Sequence, residues 1–454
     1  MKSRNLWTWP LIIFVCLLLM IWLIWTLSGG CASTLKEEIS TTSTSTTTTT
    51  PFSSSTTIIA SGSLDTSFGS SGEVTYDDFV AKGMAIDPSG RILVVGYPDS
   101  DPSSMNILRY DTNGNLDNSF NGDGIVVDSR GNGNAIVLDA SGKILVAGTS
   151  SMNIGLWRYE SNGSPDNTFG NAGLVTSEGA GGAGGVLANA IAVSSGKIIV
   201  AGECFYPFQA VVWRFNTNGT LDTGFGGGKG YVVQDGALGP NGEDHTSSVT
   251  VASSGKILVT GSSRADYNVD PDAENHIVIW KLNSNGAVDK VAVYSDSDAS
   301  NGNNIFVNSA GMVTVTGNNY ITVGPLSHVH RLAIWRYTSN LEFDRLINIL
   351  GSKCKDYTSG GAVDASGRIL ITGKEAGFSL TGTLLSQSMA IWRYNSDGTV
   401  DNSFSGGKTT YLLNGLDETS GGRFIATDPW GRIIVAGSNR TATSARALTI
   451  WRYR

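Results

Sequence analysis

Cysteine, histidine and charge are all scarce in this chain of 454 residues, and each shortage closes off a class of protein. Four cysteines (Cys16, Cys31, Cys204 and Cys354) are too few and too scattered for a disulfide framework. Charged residues make up 15% of the chain, the formal net charge is −8, and no basic stripe occurs, which argues against a nucleic-acid partner. HExxH, CxxC and GxSxG are absent, so the signatures of zincins, thiol redox proteins and α/β-hydrolases are missing. Two near-matches fail on context. Gly179–Gly184 reads as GxGxxG but precedes a strand pattern rather than a helix. Gly407-Lys408-Thr409 ends like a P-loop, yet Asn402 stands where that loop needs glycine and no helix pattern follows.

Glycine, at 57 residues, is abundant, and it marks a repeat. One half of the repeat is a hairpin, written AIDPSGRILVVG at 85–96 and returning as VLDASGKILVAG, AVSSGKIIVAG, VASSGKILVTG, VNSAGMVTVTG, VDASGRILITG and TDPWGRIIVAG. Its turn glycines are Gly90, Gly142, Gly196, Gly255, Gly311, Gly367 and Gly431. The other half is an aromatic strand, ILRY at 107–110 and then GLWRY, VVWRF, VIWKL, AIWRY, AIWRY and TIWRY. Each unit reads as strand a, a tight turn, strand b, a variable loop, strand c, a turn and strand d. Such a unit cannot bury both faces alone, so its recurrence predicts an all-β, seven-bladed propeller of four-stranded blades over residues 62–454.

A second regularity concerns charge. Each aromatic strand carries a cation with Asp eight residues later: Arg109–Asp117, Arg158–Asp166, Arg214–Asp222, Lys281–Asp289, Arg336–Asp344 and Arg393–Asp401. Arg452 has no such Asp after it, and Asp65 has no such cation before it. The segment 62–76 is therefore expected to supply the last strand of blade seven, with Asp65 beside Arg452. A feature repeated in every blade reads as a clamp on the c–d connection rather than as a ring of binding groups.

These motifs resemble the delta-60 repeat family, and the strand order is similar to that of NHL-type propellers. The family's third element, G-x-x-D-x-x-F-G, appears at Gly62–Gly69, Gly114–Phe120, Gly163–Gly170, Gly219–Gly226 and Gly398–Phe404, and is degraded at 286–293 and 341–348. The resemblance implies an exported propeller with no assigned reaction and no catalytic residues to carry over.

The N-terminus adds a compartment. Lys2 and Arg4 precede Leu6–Leu27, an uncharged run that would span roughly 33 Å as a helix, enough for a bilayer core. Trp7, Trp9, Trp22 and Trp25 lie toward its ends, as interfacial aromatics do. Residues 1–31 are thus read either as an uncleaved signal anchor or as a lipoprotein signal ending at Cys31, with Leu27 one position too far from the cysteine for the usual lipobox. Both readings tether an exported protein to a membrane. Residues 32–61, with their Ser/Thr run from Ser40 to Thr57, form an extended stalk. Asn162, Asn218 and Asn439 match the glycosylation sequon, but the first two stand where Asn-Gly turns are expected anyway.

Length variation falls in the b–c and d–a connections, which share one face, and recognition usually lives on variable loops of a rigid scaffold. All four histidines belong to that face: His245 in the d–a loop entering blade four, His276 ending a b–c loop, and His328 and His330 ending another. Glu243, Asp244, Asp270, Asp272, Glu274, Asp296 and Asp298 accompany them. Imidazole with carboxylate suits a divalent metal, so His245, His276, His328 and His330 are the candidate ligands; the alternative is unrelated polar residues. Phe205 and Phe208 are expected either to bind sugar or peptide or to pack over blade three. The Asp111–Asp117 run hints at calcium, though a side-chain-stabilised turn explains it more simply. Cys204 and Cys354 read as separate thiols. The leading expectation is a non-catalytic module binding a glycan, a peptide or a surface protein. The alternative is a metal-dependent hydrolase, lactonase or lyase with its site at the channel mouth.

Overall fold

The computed structural model describes residues 62–178, 184–205, 208–239, 242–265, 274–295, 299–324, 327–349, 355–378, 384–413, 420–440 and 446–454. These hold 28 strands in seven blades of four, with two short 3-10 turns and no α-helix. Blade 1 is typical: strand a is Val80–Ile86, b is Ile92–Tyr97, c is Met105–Tyr110 and d is Ile125–Asp128. Blades 5 and 6 are joined into one sheet by a single parallel bridge, His330 to Lys355. The anchor and stalk expectations, Cys31 included, fall outside the described residues. No helix among the described residues is long and apolar enough to cross a membrane.

The repeat fixes the local geometry. All seven a–b turn glycines have φ between 70° and 81°, the left-handed region where a side chain is strained. Before four of them an Asp side chain closes the turn: Asp87 Oδ1 accepts the N–H groups of Ser89 and Arg91, and Asp139, Asp364 and Asp428 repeat this. The Asp111 run is likewise a turn, with Oδ1 accepting from Asn113 and Asn115.

Packing explains why one blade cannot stand alone. The buried apolar residues form seven clusters, and each lies between two neighbouring blades. Strand periodicity divides the aromatic motif between these layers. Trp157 packs toward blade 1 and Trp213 toward blade 2, whereas the Arg that follows each Trp reaches the next blade.

The ring closes as expected. Glu73–Tyr76 pairs antiparallel with Arg446–Tyr453 as the outer strand of blade 7. Arg452 Nε donates to Asp65 Oδ2 at 2.9 Å, and both side chains are buried. The other six pairs all form. Their separations are 2.9 Å for Arg109–Asp117, 2.7 Å for Arg158–Asp166, 2.8 Å for Arg214–Asp222, 3.0 Å for Lys281–Asp289, 3.9 Å for Arg336–Asp344 and 2.7 Å for Arg393–Asp401. The clamp also couples blades: Arg109, Arg158, Arg214, Lys281 and Arg452 each donate to a backbone carbonyl in the c–d turn of the next blade, at Ser161, Thr217, Ser284, Ser339 and Thr112. The recurring pair is structural.

Candidate functional site at the channel mouth

The a–b and c–d turns share one face of the ring, and the other face carries what varies. Strand, rather than loop, accounts for much of that variation. Val313–Gly324 and Ser327–Tyr337 pair as far as Gly324 and Ser327, and Ile369–Phe378 and Leu384–Tyr394 as far as Phe378 and Leu384. The histidines accordingly lie in strands, which corrects their assignment to loops. His245 belongs to Glu243–Val251, the inner strand of blade 4; His276 opens His276–Leu282; His328 and His330 lie in Ser327–Tyr337. The physical reason is ladder continuity: once a hairpin is in register, pairing extends until a turn interrupts it, as Tyr320–His330 and Thr322–His328 pair here. The side chains of His328 and His330 lie outside the described residues. Asp270, Asp272, Asp296, Asp298 and Cys354 do too, and Cys204 is buried with its Sγ 3.8 Å from the Gln209 carbonyl.

His245 is the histidine with a built environment. Its Nδ1 lies 2.9 Å from Glu203 Oε2, at the end of strand b of blade 3 (Lys197–Cys204), so the contact bridges two blades. That hydrogen bond raises the imidazole pKa above its ordinary value, against the opposing effect of burial. Its Nε2 stands 3.9 Å from Glu243, whose carboxylate is also held by Arg264. Phe208 packs on the imidazole at 5.4 Å between centroids and on Phe205 at 5.4 Å, and both rings are half-buried. Phe205 and Phe208 therefore pack on one another and, through His245, against blade 4. Asp244 is fully buried, accepts the Gly236 N–H at 2.8 Å, and burial pushes its carboxyl pKa up. His276 stands in the register row of Asp244, with Ser263 between them, and burial lowers its pKa. Among the described residues no group of three or more His, Cys, Asp and Glu is placed to hold a metal.

Around the channel the structure brings together residues that the repeat motifs passed over. Each of the seven inner strands carries a register shift at the same place, skipping Lys82, Asn134, Asn189, Ser247, Asn303, Ser359 and Arg423 in turn. A bulge leaves one residue out of the ladder and re-aims it. The three asparagines use this to cross to the next blade: Asn134 Nδ2 donates to Ala188 O at 3.0 Å, Asn189 to Thr246 O at 2.9 Å and Asn303 to Thr358 O at 2.8 Å. A sequence signal for the ring exists, because in six blades the bulged residue stands eight positions before the a–b turn glycine, and in blade 3 Asn189 stands seven before Gly196. Two bulge residues are cations, Arg423 of blade 7 and Lys82 of blade 1, and they are neighbours around the ring. Arg423 lines a cavity of about 270 Å³ together with Ser359, Lys374, Ser420 and Phe424.

The fold and this mouth define a propeller of the class that carries its variable chemistry on one face of a repeated scaffold. Five stretches of the chain, 88–120, 140–169, 194–225, 252–290 and 382–404, match a family model described as a domain of unknown function (DUF5122) beta-propeller. Blade 5 falls between the fourth and fifth stretches. No curated protein matches the chain. Similar solved structures include a polysaccharide lyase, Uly1 (11% identity, 82% of this chain and 90% of that one, TM-score 0.47). An ulvan lyase of a polysaccharide lyase family is similar too (11%, 83% and 95%, TM-score 0.48), as is a gluconolactonase of Xanthomonas campestris (14%, 70% and 88%, TM-score 0.36). At these scores the likeness does not reach the chemistry of any of them.

Proposed function

We propose that this chain is a recognition module: a propeller tethered on the outer side of a membrane, whose channel-mouth face binds a glycan, a peptide or a surface protein without converting it. The observation that carries the reading is the division of labour between the two faces. On one, each blade spends its ionic groups on clamps to itself and its neighbour. On the other, hairpins lengthen in blades 5 and 6, and the bulge ring varies among Lys, Asn, Ser and Arg around the channel. A rigid frame with one variable polar face is suited to binding. The uncharged run Leu6–Leu27 and the delta-60-type motifs support export and tethering, either through that run or through lipid on Cys31. Intact-mass measurement of the membrane-extracted protein separates the two.

The test is saturable binding by the full chain in detergent micelles on glycan, peptide and cell-surface arrays. We expect variants at the mouth to lose it and variants on the clamp face to keep it. Conversion of a captured ligand into product would overturn the non-catalytic reading. His245 on Glu203 is the observation that favours this rival, since such a pair can move a proton. Turnover lost in His245→Gln with capture retained would place acid–base chemistry at the mouth. One equivalent of a divalent metal by elemental mass spectrometry, lost in His328→Ala/His330→Ala, would make that chemistry metal-dependent.

A further inference from the structure

Most ionic side chains in the described ring are matched, which makes Arg423 conspicuous. It is the third residue of the inner strand of blade 7, Gly421–Thr427, and it is half-buried. Its guanidinium has no hydrogen bond and no ion pair among the described residues. Lys82, at the same bulge position in blade 1, has among the described residues only the Tyr97 ring, 5.4 Å from Nζ to the centroid. Lys374, over Tyr357, brings a third cation to the wall of the Arg423 cavity. The nearby Arg446 faces Asp99 instead, at 3.8 Å. A partly buried charge costs stability unless something of opposite sign meets it, and among the described residues nothing does so for Arg423. The whole molecule, at −8, would not draw an anion to this spot, so the attraction is local.

The rest of the hollow narrows the ligand. Ser359 offers an exposed hydroxyl, the buried Ser420 and Phe424, which also packs toward the core between blades 7 and 1, complete the wall, and Gly421-Gly422 leaves bare backbone as a floor. That bareness is required, since a Cβ on Gly422 would meet Thr372 Oγ1 at 2.1 Å. The volume is at the low end for small-molecule cavities, room for about one sugar ring. An extended peptide needs a long groove or a free strand edge, and this hollow is short and recessed.

We propose that the upper channel between blades 6, 7 and 1 binds the acidic group of an anionic carbohydrate, with Arg423 as its anchor and Lys82 and Lys374 beside it. The inference rests on the recognition reading above and names its ligand class. Arg423 takes the carboxylate through paired N–H donors, and Ser359 takes a sugar hydroxyl.

The experiment is calorimetric titration of the full chain in detergent micelles with tetragalacturonate, with its neutral methyl ester, and with sodium sulfate. We expect the acid to bind, the ester to bind at least about 10-fold more weakly, and R423Q to lose about 10- to 100-fold for the acid. K82Q should lose a few-fold, and K229Q, an exposed lysine of the clamp face, nothing. Melting curves identify any variant that fails to fold, in which case K82Q and the acid-to-ester ratio decide. Equal binding of acid and ester overturns the inference. So does wild-type binding by both R423Q and K82Q, and so does sulfate binding as tight as the tetramer, which marks a simple oxyanion site. Array capture of neutral glycans or peptides but no uronates sinks this inference and leaves the recognition reading standing. A blank across all three classes sinks both.

Discussion

Blade 7 and blade 5 are built from the same repeat and are held in different ways. In blade 7 the carboxylate of Asp65 sits among Arg452 at 2.9 Å, Arg454 and, at 3.8 Å, Arg432, while Arg452 lies over Phe68 at 4.6 Å. In blade 5 Arg336 reaches Asp344 only at 3.9 Å, its Nε and Nη1 are buried without a hydrogen-bond partner, and Met312 stands where other blades put a second cation. That second cation matters elsewhere: Lys143 reaches Asp166 at 2.7 Å, Lys197 reaches Asp222 at 2.9 Å and Lys256 reaches Asp289 at 2.9 Å. Blades 4 and 5 also lack the Phe, and their outer strands run seven residues where the other blades have four or five. An aromatic group replaces it at that edge, with Phe343 5.2 Å from Tyr294 and 5.6 Å from Tyr337. The same joint can thus be made by charge buried under a ring or by ring packing beside a longer ion pair, because what the propeller requires is a fixed c–d connection.

The largest effect should come from removing the cation that closes the ring. Arg452→Met keeps the side-chain stem and leaves Asp65 buried with fewer partners, so we expect a loss of about 3 kcal/mol in chemical denaturation. Arg336→Met, the same change in blade 5, should cost no more than about 1 kcal/mol. Equal losses would break the comparison. Next comes Phe120→Ala, which removes the fully buried ring under Arg109, 4.5 Å away; about 3 kcal/mol should be lost. Phe343→Ala, half-exposed at the corresponding edge of blade 5, should cost clearly less.

Acid should attack the complete clamps first. Burial works against the Asp65, Asp117, Asp166 and Asp401 carboxylates, but hydrogen bonds from Ser, Thr, Arg or Lys and the facing cations hold all four below the usual range. Lys197 does the same for Asp222. A carboxyl group depressed in the folded state adds stability above its unfolded pKa, about 4, and that stability is lost as pH falls through the folded value. Stability should therefore drop below about pH 4, and Asp117→Asn should flatten that slope. The His245–Glu203 pair on the opposite face runs the other way. A raised histidine pKa adds stability below the unfolded value, about 6.5, which is lost as pH rises through the folded one. Glu203→Gln should remove this smaller dependence, and an unchanged pH profile would show that the pair contributes nothing to folding.

The frame was legible in the sequence because it is periodic. Turn glycines in all seven blades, the Trp-cation alternation in six and the eight-residue cation–Asp spacing in six each encode one contact repeated around the ring, and the displaced Asp65 even located the ring closure. The mouth was less legible because its parts do not repeat as residue types. The bulge ring keeps a position and varies its chemistry, so Arg423 and Lys82 look like ordinary strand residues until the ladder is seen to skip them. Glu203 meets His245 across a blade boundary, 42 positions apart, which no local pattern announces. The loop assignment of the histidines failed for a related reason: the Gly324-Pro325 pair in 318–330 signals a turn, but how far the strands beside it extend depends on pairing.

The smallest change sharpens the contrast most, because it adds rather than removes. Met312 follows the a–b turn glycine of blade 5 at the place held by Arg91, Lys143, Lys197, Lys256, Arg368 and Arg432. It is half-buried, and Asp344 is the carboxylate a cation there would meet. Met312→Lys should then restore the second arm of the clamp and raise stability by about 0.5 kcal/mol, more at low salt than at high salt. In an Asp344→Asn background the gain should vanish, which a double-mutant cycle reads directly. A gain that survives the loss of Asp344 would mean that lysine helps through the turn itself, and that blade 5 is held by its aromatic edge with no clamp left to complete.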